Sequence, residues 1–196
     1  WSSDVCSSDL ERITKLEKIC HHFHLSLQSG CDETLKRMNR RYTTEEFKKS
    51  ANMLKEAYQN VALTTDIIVG FPGETEEEFE KTYRFLKEID FYMMHIFQYS
   101  PRKGTAAAKM PNQVEAQIKE KRSKKLIELS KENEKRHNEK YIGKEVEVLF
   151  EEKDGDYIKG HTTNYMVVKV PYEKLENTIK TVHVESEENL ELIGKI

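Results

Sequence analysis

The sequence predicts an α/β fold followed by a small all-β barrel, and three observations carry that expectation. Apolar segments of strand length alternate with helical segments over the first two thirds of the chain. The stretch "VALTTDIIVGF" is nearly all apolar in its second half, as for a parallel strand covered on both faces. After Gly143 the apolar period falls to two and stays there.

Residues 1–10, "WSSDVCSSDL", have no period and are rich in serine; they are left unassigned, as a candidate foreign junction. "HFHLSLQSG" alternates Phe23, Leu25 and Leu27, a short strand ending at Gly30. Asp32 then caps a helix over "ETLKRMNRR". A second helix starts near Thr44, an N-cap, with Phe47, Ala51, Leu54 and Tyr58 on one face. The strand of "VALTTDIIVGF" follows. Thr75 caps the next helix and Glu78 completes a capping box; Phe79, Tyr83, Leu86 and Ile89 form its core face. "MMHIFQYS" is a third strand, closed by "PRKGT". Strands joined by helical crossovers give parallel βα units. Three strands cannot close a barrel, so this is a small sheet or the later part of a larger barrel.

Residues 112–139 form a long charged helix with Val114, Ile118, Leu126 and Leu129 on its apolar side. Beyond it, "EVEVLF", "YIKGHT", "YMVVKV", "TIKTVHVES" and "LELIGKI" are five short strands, with a turn at "KDGD". So many short strands suggest an OB-like antiparallel barrel with a boundary near Tyr141.

The chain has 196 residues, 37% hydrophobic and 34% charged, enough for a core plus solvated helices. No apolar run reaches the length of a membrane span, and no export leader opens the chain. Three cysteines, Cys6, Cys20 and Cys31, without a Cys-x-x-Cys pair, fit a reducing cytosol better than a disulfide framework. A monomer is the expected state. Net charge is −3 but uneven: residues 101–140 hold 12 Lys+Arg against 6 Asp+Glu. That basic run is either a polyanion contact or a solvated helix face.

Asp66 is the residue that most needs explaining, because a doubly covered strand should not hold a lone carboxylate. It is either exposed at the strand edge or accepts hydrogen bonds from a hydroxylated ligand such as a ribose. "GFPGE" follows at the strand's C-terminal end, where α/β barrels bind ligands; Gly70 and Gly73 permit a tight turn there. Gln28, Ser29 and Gly30 occupy the matching end of the preceding strand. Arg40, one helix later, can return to the same mouth and pair with a carboxylate. His22 and His24 share a strand face, but no third ligand lies nearby in sequence, so no metal residue is assigned. Arg102, Lys103 and Gly104 form either a phosphate loop or a plain turn.

In this fixed order, "HLSLQSG", "LKRMNRRYT", "TTDIIVGFPGET", "FQYSPRKGTAA" and a terminal β module resemble the radical S-adenosylmethionine methylthiotransferases. The likeness is strongest to the branch that modifies threonylcarbamoyladenosine beside the tRNA anticodon, and it covers about residues 21–196. It implies that residues 11–140 are the later strands of a partial (β/α) radical-SAM barrel. It also implies that residues 141–196 are a TRAM domain, an OB-like RNA-binding module with "GHTTNYMVVKV" as its signature. The implied partner is the tRNA anticodon stem-loop, and the implied cofactor is S-adenosylmethionine, held by Gln28, Arg40, Asp66 and Ile68. The family also needs 4Fe–4S clusters, one of them on a Cys-x-x-x-Cys-x-x-Cys run that this chain lacks. The chain would then be a C-terminal portion, inactive alone. The terminal module carries net −5, so RNA affinity would require Lys144, Lys159, Lys169 and Lys180 to cluster.

Overall fold

The computed structural model describes residues 12, 13, 16 and 18–196. The unassigned opening, residues 1–10, lies outside them.

Three parallel strands form a sheet in the order β1-β2-β3: β1 is His22–His24, β2 Ala62–Val69 and β3 Met93–Gln98. β1 is shorter than the alternation predicts. Leu25 still donates its N–H to the Thr64 carbonyl, but the Leu27 N–H turns to the Thr65 hydroxyl. The backbone rejoins β2 only at Gln28, whose N–H bonds to the Asp66 carbonyl and whose carbonyl accepts from Ile68.

α1 (Asp32–Arg37) is capped at Cys31 without a side-chain bond, not at Asp32 as predicted. The Asp32 carboxylate instead accepts the Thr44 N–H at 2.7 Å and ties α1 to the next helix. α1 stops short of the predicted "NRR" because Asn39 takes a left-handed conformation, φ 59°. α2 (Thr44–Ala57) starts one residue before expectation, with Thr43 and Glu46 in a reciprocal capping box. α3 (Glu76–Ile89) has the predicted Thr75–Glu78 box.

α2, α3 and the long helix α4 (Ala116–Glu139) supply the core on one sheet face. Leu63, Ile67 and Val69 of β2 meet Phe47, Leu54, Phe79, Leu86, Leu126 and Leu129 there. Each of these aliphatic or aromatic side chains, fully buried, contributes about 1.5–3 kcal/mol. α4 also covers the free edge of β3: the Ser130 hydroxyl accepts the Met94 N–H at 2.8 Å, and the Asn133 amide donates to the Phe91 carbonyl at 3.0 Å. The predicted apolar side of α4 holds for Leu126 and Leu129 but not for Ile118, which is exposed.

The other face of the sheet is covered at its N-terminal end, where Ala62 and His22 meet the barrel, and is open among the described residues toward Asp66 and Ile68. β2 shows this directly: Asp66 and Ile68 are half-exposed while Thr65, Ile67 and Val69 are buried. Among the described residues the expectation of a strand covered on both faces therefore holds for Ala62–Thr65 and fails at Asp66 and Ile68.

The remaining strands, β4 (Glu145–Asp154), β5 (Tyr157–Thr162), β6 (Val167–Pro171), β7 (Thr178–Glu188) and β8 (Glu191–Lys195), close into a barrel in the order β4-β5-β6-β8-β7. Only the β6–β8 pair is parallel. Val148, Phe150, Ile158, Val168, Val182, Val184 and Leu192 fill the interior. Bulges at Phe150/Glu152 and Val184/Ser186 bend β4 and β7 enough to close it. Gly160 is needed where strands press together, since a Cβ there would stand 2.0 Å from the Leu149 carbonyl oxygen.

The barrel sits under the N-terminal ends of β1 and β2. The Asn164 amide donates to the Asn60 carbonyl at 3.0 Å and to the Tyr141 hydroxyl at 2.8 Å. Ala62 and Tyr92 join the barrel's apolar core. The opposite, C-terminal ends of the strands lead into Gln28 and the "GFPGE" turn.

Candidate cofactor-binding site

The C-terminal ends of the strands bring Gln28, Asp66 and Ile68 together. Gln28 pairs in register with Ile67, between the two other residues. Its φ is +70°, a conformation that side chains other than glycine rarely adopt and that collects at functional sites. Gln28 is buried, and its amide makes no hydrogen bond among the described residues. Asp66 and Ile68 follow at period two on the uncovered face, offering a carboxylate and an apolar surface side by side.

Arg40 is exposed beyond α1, close enough for its charge to act on Tyr42, and its side chain makes no hydrogen bond or ion pair among the described residues. The chain does turn back after it. The Tyr42 hydroxyl lies 2.9 and 2.8 Å from the carbonyl oxygens of Ser26 and Leu27, just ahead of Gln28.

The turn "GFPGE" is organised by its own glutamate. The Glu74 carboxylate accepts the Gly70 N–H at 2.6 Å and the Arg122 guanidinium at 2.7 Å, and both side chains are buried. Burial pushes the Glu74 carboxyl above the usual carboxylate range, against the pull of the Gly70 N–H and Arg122. Gly70 has φ +72°, and a Cβ there would run into the Lys119 side chain at 2.1 Å. Arg37, at the end of α1, grips Glu78 through two bonds of 2.9 and 2.6 Å. Arg37 also lies 3.3 Å from where a Gly73 Cβ would be. The turn is thus a rigid wall of the site, held by Glu74, Arg122 and Arg37, none of which sequence reasoning singled out. Only the glutamate of "GFPGE" carried a signal; Arg122 looked like one more charge in a basic run.

That basic run is partly spent inside the fold. Arg122 pairs with Glu74, Lys125 with Glu80, and Arg136 with Asp90. On the barrel, Lys159 pairs with Glu152, and Lys169 with both Asp154 and Glu191, so two of the four lysines that had to form a basic face are neutralised. Arg102, Lys103 and Gly104 lie on an exposed turn, with Gly104 open to solvent.

His22 and His24 do not act as a pair. His22 stacks on Tyr165 of the barrel at 4.7 Å, and burial, then the neighbouring His24, hold its pKa below the ordinary value. His24 faces Asp66. Of the cysteines, Cys20 is exposed and Cys31 is buried. The Cys31 Sγ lies 2.9 Å from a Glu33 carboxylate oxygen, and burial followed by that hydrogen bond raises its pKa. Cys6 lies outside the described residues, neither Cys20 nor Cys31 joins a group of three ligands among them, and an iron–sulfur cluster needs several convergent thiolates. The described residues therefore do not fit a cluster.

The described residues thus form a small parallel α/β sheet with a glycine-containing turn after its middle strand, and the comparisons give its class. Residues 3–86 match the Radical SAM superfamily. In fold the chain resembles the coproporphyrinogen III oxidase of Escherichia coli, a radical SAM enzyme. The TM-score is 0.56 at 19% identity, covering 67% of this chain and 31% of that one.

The particular relatives are tRNA-modifying enzymes. The chain is 39% identical to the tRNA-2-methylthio-N(6)-dimethylallyladenosine synthase of Protochlamydia amoebophila, over 98% of this chain and 44% of the relative. It is 41% identical to the threonylcarbamoyladenosine tRNA methylthiotransferase MtaB of Bacillus subtilis, over 91% of this chain and 40% of the relative. The chain is therefore related to the radical S-adenosylmethionine methylthiotransferases, as its motifs indicated. It spans less than half the length of these curated relatives.

Proposed function

We propose that this chain is the later portion of a radical S-adenosylmethionine tRNA methylthiotransferase. Its reaction adds a methylthio group to C2 of N6-threonylcarbamoyladenosine beside the anticodon. Residues 11–140 are the later strands of the radical-SAM barrel, and residues 141–196 are a TRAM domain that helps hold the anticodon stem-loop. The work is cytoplasmic, where its tRNA substrate is found. Similarity to the dimethylallyladenosine synthase supports a second substrate reading, the isopentenyl-type nucleoside.

The observation that carries this proposal is the strained, buried Gln28, locked by backbone bonds between Asp66 and Ile68 at the mouth of the sheet. The donor set suits a sulfonium nucleoside. Asp66 accepts hydrogen bonds from ribose hydroxyls, and Gln28 can both donate and accept. Ile68 would offer the adenine an apolar surface, and Arg40, exposed in this structure, would have to swing in to pair with the amino-acid carboxylate. S-adenosylmethionine, when bound, supplies the carbon radical that activates the substrate. The protein's part here is to orient that molecule and to keep its ribose fixed. No cluster ligand is available among the described residues, so the reductive half of the chemistry belongs outside them and this chain alone is inactive.

The barrel's strand order, with its single parallel pair, supports the OB-like reading. Its acid-paired lysines leave RNA affinity to α4 and the exposed "PRKGT" turn.

Calorimetric titration of S-adenosylmethionine into the whole chain tests the site. Asp66→Ala is expected to weaken binding by at least about tenfold, the loss of one charge-assisted hydrogen bond. Unchanged affinity in a folded variant overturns the assignment. Binding of tRNA to the whole chain should weaken steeply with added salt.

A further inference from the structure

The three strands each present one metal-ligating side chain on the uncovered face: His24 from β1, Asp66 from β2 and His95 from β3. One ligand atom from each lies within 4.8 Å of the others. The parallel register produces this grouping. Asp66 pairs directly with His95, and His24 pairs with Thr64, two residues before Asp66 on the same face. His24 and His95 lie 6.0 Å apart, ring centre to ring centre.

Two features go beyond proximity. His24 Nε2 stands 3.4 Å from Asp66 Oδ2. The edge of a zinc tetrahedron with bonds of about 2.0–2.1 Å is also about 3.4 Å, so this pair already has the spacing of two ligands. The other ring nitrogen, His24 Nδ1, lies 3.1 Å from the Thr64 hydroxyl, which is itself 3.1 Å from His22 Nε2. Thr64 is buried, so it fixes the His24 ring and leaves Nε2 aimed at Asp66. A partner on the second ring nitrogen is how ligating histidines are normally oriented.

We propose that His24, Asp66 and His95 bind one divalent first-row cation, zinc in the first instance, with a coordination position open on the uncovered face. Two imidazoles and a carboxylate suit zinc and its neighbours in the series and suit calcium or magnesium poorly. Half-exposure of Asp66 and exposure of both histidines give the ion a path in. An ion pair alone would contribute little at such exposure and would not require a second histidine across the sheet. The proposal goes beyond the nucleoside reading: it shares Asp66 with that reading, so ion and nucleoside compete for one carboxylate, while His24 and His95 have no part in it.

The test titrates Zn2+ into chelator-stripped protein by calorimetry, in a C6S/C20S/C31S background that removes thiolates. One site is expected. His24→Ala and His95→Ala should each weaken binding by at least about tenfold, since loss of an orienting partner alone costs about 10–100-fold. Thr64→Val should weaken it by about tenfold through the lost orienting bond. Co2+ in place of zinc should give the visible absorption of a tetrahedral nitrogen–oxygen site, lost in His95→Ala. Absence of binding, or binding unchanged in the His24→Ala/His95→Ala double variant, overturns the proposal. His95→Ala is expected to keep S-adenosylmethionine affinity and Asp66→Ala to lose both ligands, so failure of one reading is distinguishable from failure of the other.

Discussion

The barrel and the sheet are both built from short strands, yet they treat their inner faces in opposite ways. The barrel closes on itself and fills its interior with aliphatic and aromatic side chains that are essentially inaccessible. The sheet buries one face under helices and leaves the other lined with His24, Asp66, Ile68, His95 and Phe97, all at least partly exposed. The difference separates stability from binding. Side chains in the closed interior act through packing, and side chains on the open face remain free to meet a ligand.

The largest expected effect lies in the barrel. Phe150→Ala should destabilise by about 3–5 kcal/mol in chemical denaturation, because five strands leave no room to collapse around the void. A loss under about 1 kcal/mol would mean the interior is not packed as described.

Next is the wall of the open site. Arg122→Leu leaves the buried Glu74 carboxylate uncompensated, and loss of one partner of a buried pair typically costs about 3–5 kcal/mol. Because burial already raises the Glu74 pKa, the variant should regain stability as pH falls and the carboxyl takes up a proton. Equal destabilisation at all pH values would show that the charge is not the cause.

A smaller, pH-dependent effect is expected at Asp90, the left-handed residue ending α3. Burial alone would raise its pKa, but His137, 3.3 Å away, and the Arg136 guanidinium, hydrogen-bonded to it, outweigh burial and hold the carboxyl far below the usual range. The folded pKa is depressed, so this contribution is full above the ordinary carboxylate pKa of about 3.9 and is lost as pH falls below it. Asp90→Asn keeps a residue tolerant of this backbone conformation. Its deficit against the parent should shrink in acid denaturation monitored between neutral and low pH.

The smallest stability effect is expected on the open face. Asp66→Ala should change unfolding free energy by no more than about 0.5 kcal/mol while weakening S-adenosylmethionine binding by at least about tenfold. A large loss of stability there would place Asp66 in the structural framework and blur the contrast with the barrel.

Much of this was legible in the chain. The capping box at Thr75, the helical spacing of Phe47, Ala51 and Leu54, and the period-two run after Gly143 are local patterns. Local patterns declare themselves because cap bonds and helix faces join residues only three or four apart. Gln28 and Asp66 were legible as candidates from their place at strand ends. Glu74–Arg122 and His24–Asp66–His95 were not, since their members lie 48 and up to 71 positions apart. Only the parallel register and the seating of α4 bring them within bonding distance. Tertiary packing also decided which face of β2 stays open, because coverage depends on where helices land and not on the strand's own residues. The sequence by itself therefore determined the elements and their order, through short-range hydrogen bonding and apolar periodicity. The chemistry of the open face was decided by strand pairing, which brings distant side chains to one place.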